Sequence, residues 1–213
     1  MGAQDTQEQF LREIGRHELT VLRNDGLYRH LRFARPGTIC MHFDILTWPG
    51  HLCYTGDMGT YVFQRRADML QFFRRGESRR DREPRDAIDL RYWAEKLQAH
   101  DSQDPAFAFS DEQFREDVRD YVDQATSDDE DWPAERRAAL TAAIDEDLLD
   151  GVEDEHSAWC ALRDFAFSDE HGQFQFIDWE RNCKRPTHRF QWCCLALDWA
   201  IGVFDAQDAE AQA

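Results

Sequence analysis

Four turn signals divide residues 17–66 into short β-prone segments. They are spaced by 7 to 13 residues and consist of Asp25-Gly26, Pro36-Gly37, Pro49-Gly50 and Gly56-Asp57. Glycine readily adopts positive φ, and proline fixes φ at about −65° at the first corner of a turn, so each dipeptide favours a reversal of the chain. The spacing predicts an antiparallel β-meander of about five strands.

Outside the meander the apolar residues recur with helical periodicity. The sequence predicts a short helix at 4–14, a helix packed on the sheet at 68–73, an Arg-rich linker or loop at 74–85 and another helix at 86–97. Further helices are predicted at 111–125, 133–149 and 153–165, followed by a buried helix at 188–203. Phe174 and Phe176 alternate with glutamine, which predicts a late strand at 173–177 and makes it a candidate for the edge of the first sheet.

These patterns predict an α+β fold, with an N-terminal antiparallel β-meander and a predominantly helical C-terminal part. We expect a single domain over residues 1–213. Its predicted parts are the meander (17–66), helices with the Arg-rich loop (67–100), an acidic helical lobe (101–155), closing helices and a strand (156–204), and a flexible tail (205–213).

Negative charge is concentrated in residues 101–155. This segment holds 20 Asp and Glu against 4 Arg, whereas the rest of the chain holds 23 acids and 21 bases. A concentrated field steers and holds a positively charged partner. The net charge of −18 disfavours direct binding to nucleic acid or to anionic lipid, because both carry negative phosphates. The sequence therefore predicts a basic protein partner.

The acidity has two possible origins besides partner binding, and the sequence leaves both open. Adaptation to high salt gives acidic, lysine-poor proteins, and this chain has only Lys96 and Lys184 against 23 arginines. An ordinary solvated acidic face is the second possibility. Salt adaptation alone would not leave the residues outside 101–155 near neutrality, so the distribution of charge favours a binding role.

The helix predicted at 111–125 carries a stripe of four acids. Glu112, Glu116, Asp120 and Asp123 follow at steps of 4, 4 and 3, which places them on one face. Like charges four residues apart destabilise a helix by roughly 0.2–0.5 kcal/mol per pair, so folding alone does not favour the stripe. The acids from Asp111 to Asp123 span about 18 Å, a charge density close to that of a DNA strand with a phosphate about every 3.4 Å.

The predicted partner-binding residues extend beyond this stripe. Acids at 128–131 precede a helix, where the helix dipole also favours them, whereas those at 145–147 lie near a helix C-terminus, where the dipole disfavours anions. The complete predicted set is Asp111, Glu112, Glu116, Asp117, Asp120, Asp123, Asp128, Asp129, Glu130, Asp145, Glu146 and Asp147.

The sequence predicts no catalytic site, metal or cofactor. The six cysteines form no CxxC pair, and a zinc site from Cys40, His42, His51 and Cys53 is disfavoured because strand alternation separates these side chains. Neither a signal peptide nor a membrane-spanning run occurs, which predicts a soluble cytoplasmic protein. An enzyme that uses carboxylates, with an optional metal, remains the alternative, and its candidate residues are Asp44, Asp57, Asp178 and Glu180.

Residues 47–74, TWPGHLCYTGDMGTYVFQRRADMLQFFR, resemble a motif that recurs in phage and prophage proteins, mostly without assigned function. The resemblance extends less sharply to residues 27–44 and to the C-terminal FQWCCLALDWAIGVFDA. In that phage context the acidic lobe is similar to the device of anti-CRISPR proteins that mimic DNA and inhibit type I surveillance complexes, type I-C among them.

This resemblance implies binding to the PAM-reading subunit of such a complex, in the cytoplasm of the host cell, and assigns no particular residue. The expected mechanism is competition with target DNA for a basic channel. A host-takeover adaptor that binds another basic host protein, such as a polymerase, is a further alternative.

Overall fold

The structure, a computed structural model, describes residues 3–74, 88–127 and 132–211. Residue contacts divide the chain into two compact units, Met1–Ala106 with Pro186–Ala213, and Phe107–Arg185. The sequence predicted one domain with an acidic lobe at 101–155, whereas the second unit begins and ends later. This unit holds 23 acidic and 8 basic residues, so −15 of the chain's net charge of −18 belongs to it.

A β-rich N-terminal part is followed by a mostly helical C-terminal part, which confirms the predicted α+β class. Among the described residues the helices are α1 (Ala3–Ile14), α2 (Met69–Phe73), α3 (Leu90–Ala94), α4 (Asp111–Thr126), α5 (Ala134–Ala143), α6 (Glu155–Asp164) and α7 (His188–Ala211). A π-helical turn at Ile144–Leu148 continues α5. The strands are β1 (Glu18–Asp25), β2 (Tyr28–Ala34), β3 (Phe43–Trp48), β4 (His51–Gly56), β5 (Gly59–Gln64), β6 (Leu97–His100), β7 (Phe107–Phe109), β8 (Phe167–Asp169), β9 (Gly172–Phe174) and β10 (Lys184–Pro186).

The first unit contains a six-stranded sheet in which β1 to β6 are neighbours in sequence order. Strands β1–β5 confirm the predicted meander, and Gly26, Gly37 and Gly50 have positive φ at its turns. The sixth strand is β6, where Leu97 pairs with Phe63. The predicted helix at 86–97 is therefore wrong over its last residues, because pairing with the open edge of β5 overrides the weak local preference of this segment.

The core of the first unit lies between the sheet and the helix α7. Phe43 is fully buried, and Trp192 of α7 contacts it edge to face at 5.8 Å between ring centroids. The indole Nε1 of Trp192 donates a hydrogen bond to Oε2 of Glu13 at 2.7 Å, which ties α1 to α7. Apolar residues lie on most sides of α7, and these sides are buried, as its sequence predicts.

Two predictions about exposed segments have different outcomes. Helix α7 continues to Ala211, so residues 205–211 of the segment predicted as a flexible tail are helical. Asp205 accepts hydrogen bonds from Nε and Nη2 of Arg74 at 2.8 and 2.6 Å, which holds this part of the helix against the rest of the unit. Residues 75–85 of the predicted Arg-rich loop lie outside the described residues.

The second unit packs three helices around an aromatic core. Ser110 caps α4 by accepting from the Gln113 amide, and Asp154 with Ser157 forms a capping box at the start of α6. The buried core residues include Phe114, Val118, Trp132, Leu140, Leu162 and Phe174. Strands β8 and β9 form a separate hairpin, so the strand predicted at 173–177 does not join the first sheet. The alternation of Phe and Gln in this segment instead reflects the packing of both phenylalanines against Tyr121. The ring centroid of Tyr121 lies 6.4 Å from that of Phe174 and 5.1 Å from that of Phe176.

Candidate partner-binding surface

Helix α4 presents the predicted acidic stripe on its exposed side. Phe114, Val118 and Val122 are buried in the core of the second unit. Because these apolar residues fix the rotation of the helix, the opposite face exposes the carboxylates of Glu112, Glu116, Asp120 and Asp123. The stripe therefore has the exposure that a docking surface requires.

Arg185 neutralises the N-terminal half of this stripe. Its Nη2 donates to Oε2 of Glu116 at 2.7 Å, its Nη1 donates to Glu112, and its Nε donates to Oε1 of Gln113 at 3.1 Å. The hydrogen bond to Glu116 and the charges of both glutamates raise the pKa of Arg185 above its ordinary value. One guanidinium therefore bridges both carboxylates and offsets the repulsion that the sequence predicts between them.

Arg181 and Lys184, which lie close to Arg185 in the sequence, also pair with acids of the second unit. Nη1 of Arg181 lies 3.7 Å from Oδ1 of Asp117 and 3.9 Å from Oδ2 of Asp120. Lys184 places Nζ 2.8 Å from Oε1 of Glu155. Helix periodicity did not predict that residues 181–185 pair with these acids. The sequence did carry a signal for this pairing, because the segment has three bases in five positions of a strongly acidic unit.

A second group of acids stays largely unpaired, and we call it the exposed acidic patch. Asp145, Glu146 and Asp147 are exposed on the π-helical turn, whose Ile144 and Leu148 are buried. Asp123 lines one small depression together with Asp145. With the neighbouring exposed Asp150, the patch consists of Asp123, Asp145, Glu146, Asp147 and Asp150.

Among the described residues, a direct ion pair reaches the exposed acidic patch only at Asp145. Nη2 of Arg119 lies 3.4 Å from Oδ1 of Asp145, and both side chains are more than half exposed, so the pair is screened by solvent. A hydrogen bond to Asp111, together with the charges of Asp145 and Asp150, raises the pKa of Arg115. No ion pair reaches the other four patch carboxylates from any residue that the structure describes. Asp128, Asp129 and Glu130 of the predicted set lie outside the described residues.

The carboxylates of the alternative enzyme prediction do not share one unit. Asp44 and Asp57 belong to the first unit, and Asp178 and Glu180 belong to the second. Burial raises the pKa of Asp44, but hydrogen bonds from Arg32 and His30 outweigh this effect and leave its pKa below the ordinary value. Asp57 accepts from the amide of Met41 at 2.6 Å. Both carboxylates of the first unit therefore have structural partners.

Neither known families nor known structures identify this site. Comparison of the chain with protein-family models, with curated proteins and with solved structures gives no match. Within the described residues, no three or more His, Cys, Asp or Glu side chains are grouped so that they could hold a metal ion. The same part of the chain contains no helix with the length and apolar character to span a membrane.

Proposed function

We propose that this chain is a non-enzymatic inhibitor whose acidic second unit binds a basic nucleic-acid-binding protein and excludes DNA from it. The observation that carries this proposal is the exposed acidic patch, where five carboxylates share one direct, solvent-screened ion pair among the described residues. The charge of the unit, −15 over Phe107–Arg185, supplies the longer-range attraction that steers such a partner.

The position of the patch supports a role in binding more than one in folding. Three of its acids follow α5 directly, at the helix end where the dipole repels anions by roughly 0.3–1 kcal/mol per charge. Ile144 and Leu148 are buried and fix this turn to the core. Apart from the solvent-screened contact of Asp145 with Arg119, the acids of this turn have no ion pair among the described residues, and a partner rich in lysine and arginine would relieve their mutual repulsion.

The patch and the stripe have different parts in this proposal. Glu112 and Glu116 are bridged by Arg185, so a partner would have to displace an internal cation to use them. Among the described residues Asp123, Glu146 and Asp147 have no ion pair to displace, and the pair of Asp145 with Arg119 is more than half exposed on both sides. We therefore place the principal contact on the exposed acidic patch, and assign the paired end of α4 a mainly structural role.

For the partner we propose the PAM-reading subunit of a type I CRISPR complex, with type I-C as the first to test. The resemblance of residues 47–74 to a motif of phage proteins supports this choice. A basic channel that binds the DNA backbone attracts a fixed row of carboxylates for the same electrostatic reason. Blocking that channel prevents target recognition without any chemical step.

The test compares two variants that each remove four negative charges. The patch variant carries Asp123→Asn, Glu146→Gln, Asp147→Asn and Asp150→Asn. The control removes exposed acids of the first unit and carries Glu8→Gln, Glu18→Gln, Glu95→Gln and Glu210→Gln. Inhibition of DNA binding by a purified type I-C complex is measured for both.

We expect the control to inhibit like the unmodified chain and the patch variant to need at least about tenfold more protein, since each lost contact weakens a charge-assisted interaction. Inhibition should also weaken as salt rises from about 50 to about 200 mM. A folded patch variant that inhibits as well as the control would reject the exposed acidic patch as the contact.

A further inference from the structure

A small cleft of the second unit lies beside α6 and has no role in the function proposed so far. Its volume is about 260 Å³. One wall is the face of α6 that carries Glu155, Ala158, Trp159 and Leu162, at helical steps of 3, 1 and 3. The opposite wall is formed by the segment from Trp179 to Cys183.

An exposed tryptophan stands at this cleft. Trp159 is 54% exposed, whereas Ala158 and Leu162 on the same helix face are buried. Among the described residues the side chain of Trp159 has neither a hydrogen bond nor an aromatic ring contact. By contrast, Trp179 of the opposite wall packs against Tyr121 at 5.6 Å and against Phe114 at 6.3 Å between ring centroids. The core therefore fixes one indole and leaves the face of the other open to a ligand.

The charges that line the cleft favour a cation. Glu180 is exposed, and no cation of the described residues lies within ion-pair distance of it. Glu155 also lines the cleft, and Lys184 offsets its charge at 2.8 Å. Arg181 is the cation of the lining, but its guanidinium is directed to Asp117 and Asp120 of α4 and donates to Gln124 at 3.1 Å.

Apart from Asn182, the remaining lining is apolar. Burial and the nearby Asp117 raise the pKa of Cys183 to about 12, so its thiol is neutral at physiological pH. Phe109 and Phe114 close the inner end. A cleft lined by aromatic rings and by the carboxylate of Glu180, which has no ion pair among the described residues, suits a flat cation on an aliphatic stem.

We propose that this cleft binds an arginine side chain of the basic partner, with the guanidinium stacked on Trp159 and paired with Glu180. Arginine fits better than lysine because its planar group stacks on an indole and pairs with a carboxylate through two parallel hydrogen bonds. The volume is below the roughly 300–1,000 Å³ of sites for drug-sized ligands, which suits a single side chain. This inference rests on the proposed function, because it names how the same partner is recognised.

The test titrates Nα-acetyl-L-arginine methylamide into the full chain and follows the tryptophan indole N–H signals by NMR. The signal of Trp159 is assigned by its loss in Trp159→Phe. The citrulline analogue has nearly the same shape without the charge, and the lysine analogue has the charge without the planar group. We expect a saturable shift of Trp159 with arginine, at least threefold weaker binding of lysine and no saturation with citrulline.

Three variants locate the site. Trp159→Ala and Glu180→Gln are expected to weaken arginine binding at least about fivefold, and both positions are exposed, so the fold should persist. Trp48→Ala removes a partly exposed tryptophan of the first unit and should change nothing. Absence of saturation with arginine, equal binding of citrulline, or full binding by folded Trp159→Ala would each overturn the proposal.

Failure of this proposal can be told apart from failure of the proposed function. Inhibition of DNA binding by a chain that does not bind the arginine amide would reject the cleft alone. Conversely, saturable and Trp159-dependent binding in a chain that does not inhibit would support the cleft as an arginine site and reject the inhibitor function.

Discussion

Replacing Arg185 by glutamine is expected to destabilise the second unit by about 1.5 kcal/mol. The guanidinium forms ion pairs with Glu112 and Glu116, and the three side chains are 35%, 73% and 53% exposed. Ion pairs with this exposure contribute about 0.2–1 kcal/mol each after solvent screening, and we take the middle of that range. Loss of the cation also restores the repulsion between the two glutamates, about 0.2–0.5 kcal/mol.

The assay is urea unfolding, combined with hydrogen exchange of the α4 amides to locate the effect. In a unit of this size a loss of about 1.5 kcal/mol corresponds to a fall in melting temperature of about 6–12 °C. In a background that carries Glu112→Gln and Glu116→Gln, Arg185→Gln should cost at least about 1 kcal/mol less than in the unmodified chain, because both charged partners are gone and only the hydrogen bond to Gln113 remains. Salt near 1 M should shrink the effect as well.

The double-mutant comparison decides whether the bridge explains the acidic stripe. An equal loss of stability with and without the two glutamates would show that Arg185 acts through packing or through other partners. No loss in either background would show that α4 tolerates the like charges unaided. Either result would refute the assignment of Glu112 and Glu116 to a structural role.

Two other predictions concern the first unit. A Cβ at Gly56 would overlap the backbone oxygen of His42 and lie 2.8 Å from Cα of Phe43. Gly56→Ala should therefore lower the free energy of unfolding, measured with urea, by about 3 kcal/mol. The control Gly202→Ala, on a helix with open space around this position, should raise it by about 0.5–1 kcal/mol. Equal effects of the two changes would contradict this packing argument. Because the folded pKa of Asp44 is lowered, its contribution to stability is complete above its ordinary pKa of about 4 and is lost as the pH falls through the folded value. The stability difference between the unmodified chain and Asp44→Asn should therefore shrink below about pH 4, and a pH-independent difference would contradict the role of the carboxylate charge.

Sequence patterns predict the meander and the long helices well because these depend on local chemistry. The turns at Gly26, Gly37 and Gly50 need a residue that tolerates positive φ, and the stripe of Phe114, Val118 and Val122 sets the buried face of α4. Both the turn residues and the apolar stripe can be recognised from residues that are close together in the sequence. They correctly predict five strands and the exposure of the stripe.

Longer-range pairing could not be predicted in the same way. Strand β6 forms because β5 offers an open edge, and nothing in residues 97–100 alone favours a strand. Arg185 reaches Glu116 across 69 positions of the chain, so helix spacing could not show that this carboxylate is paired. The distinction between the paired stripe and the exposed acidic patch therefore required tertiary structure.

Competition with DNA tests the central claim most directly. The binding of this chain to a purified type I-C complex is measured while the concentration of a PAM-containing duplex is raised. The proposed function predicts that the apparent Kd of the chain rises in proportion to duplex concentration and that no ternary complex forms. An unchanged Kd, with chain and duplex bound together, would contradict the claim that the acidic unit occupies the DNA site.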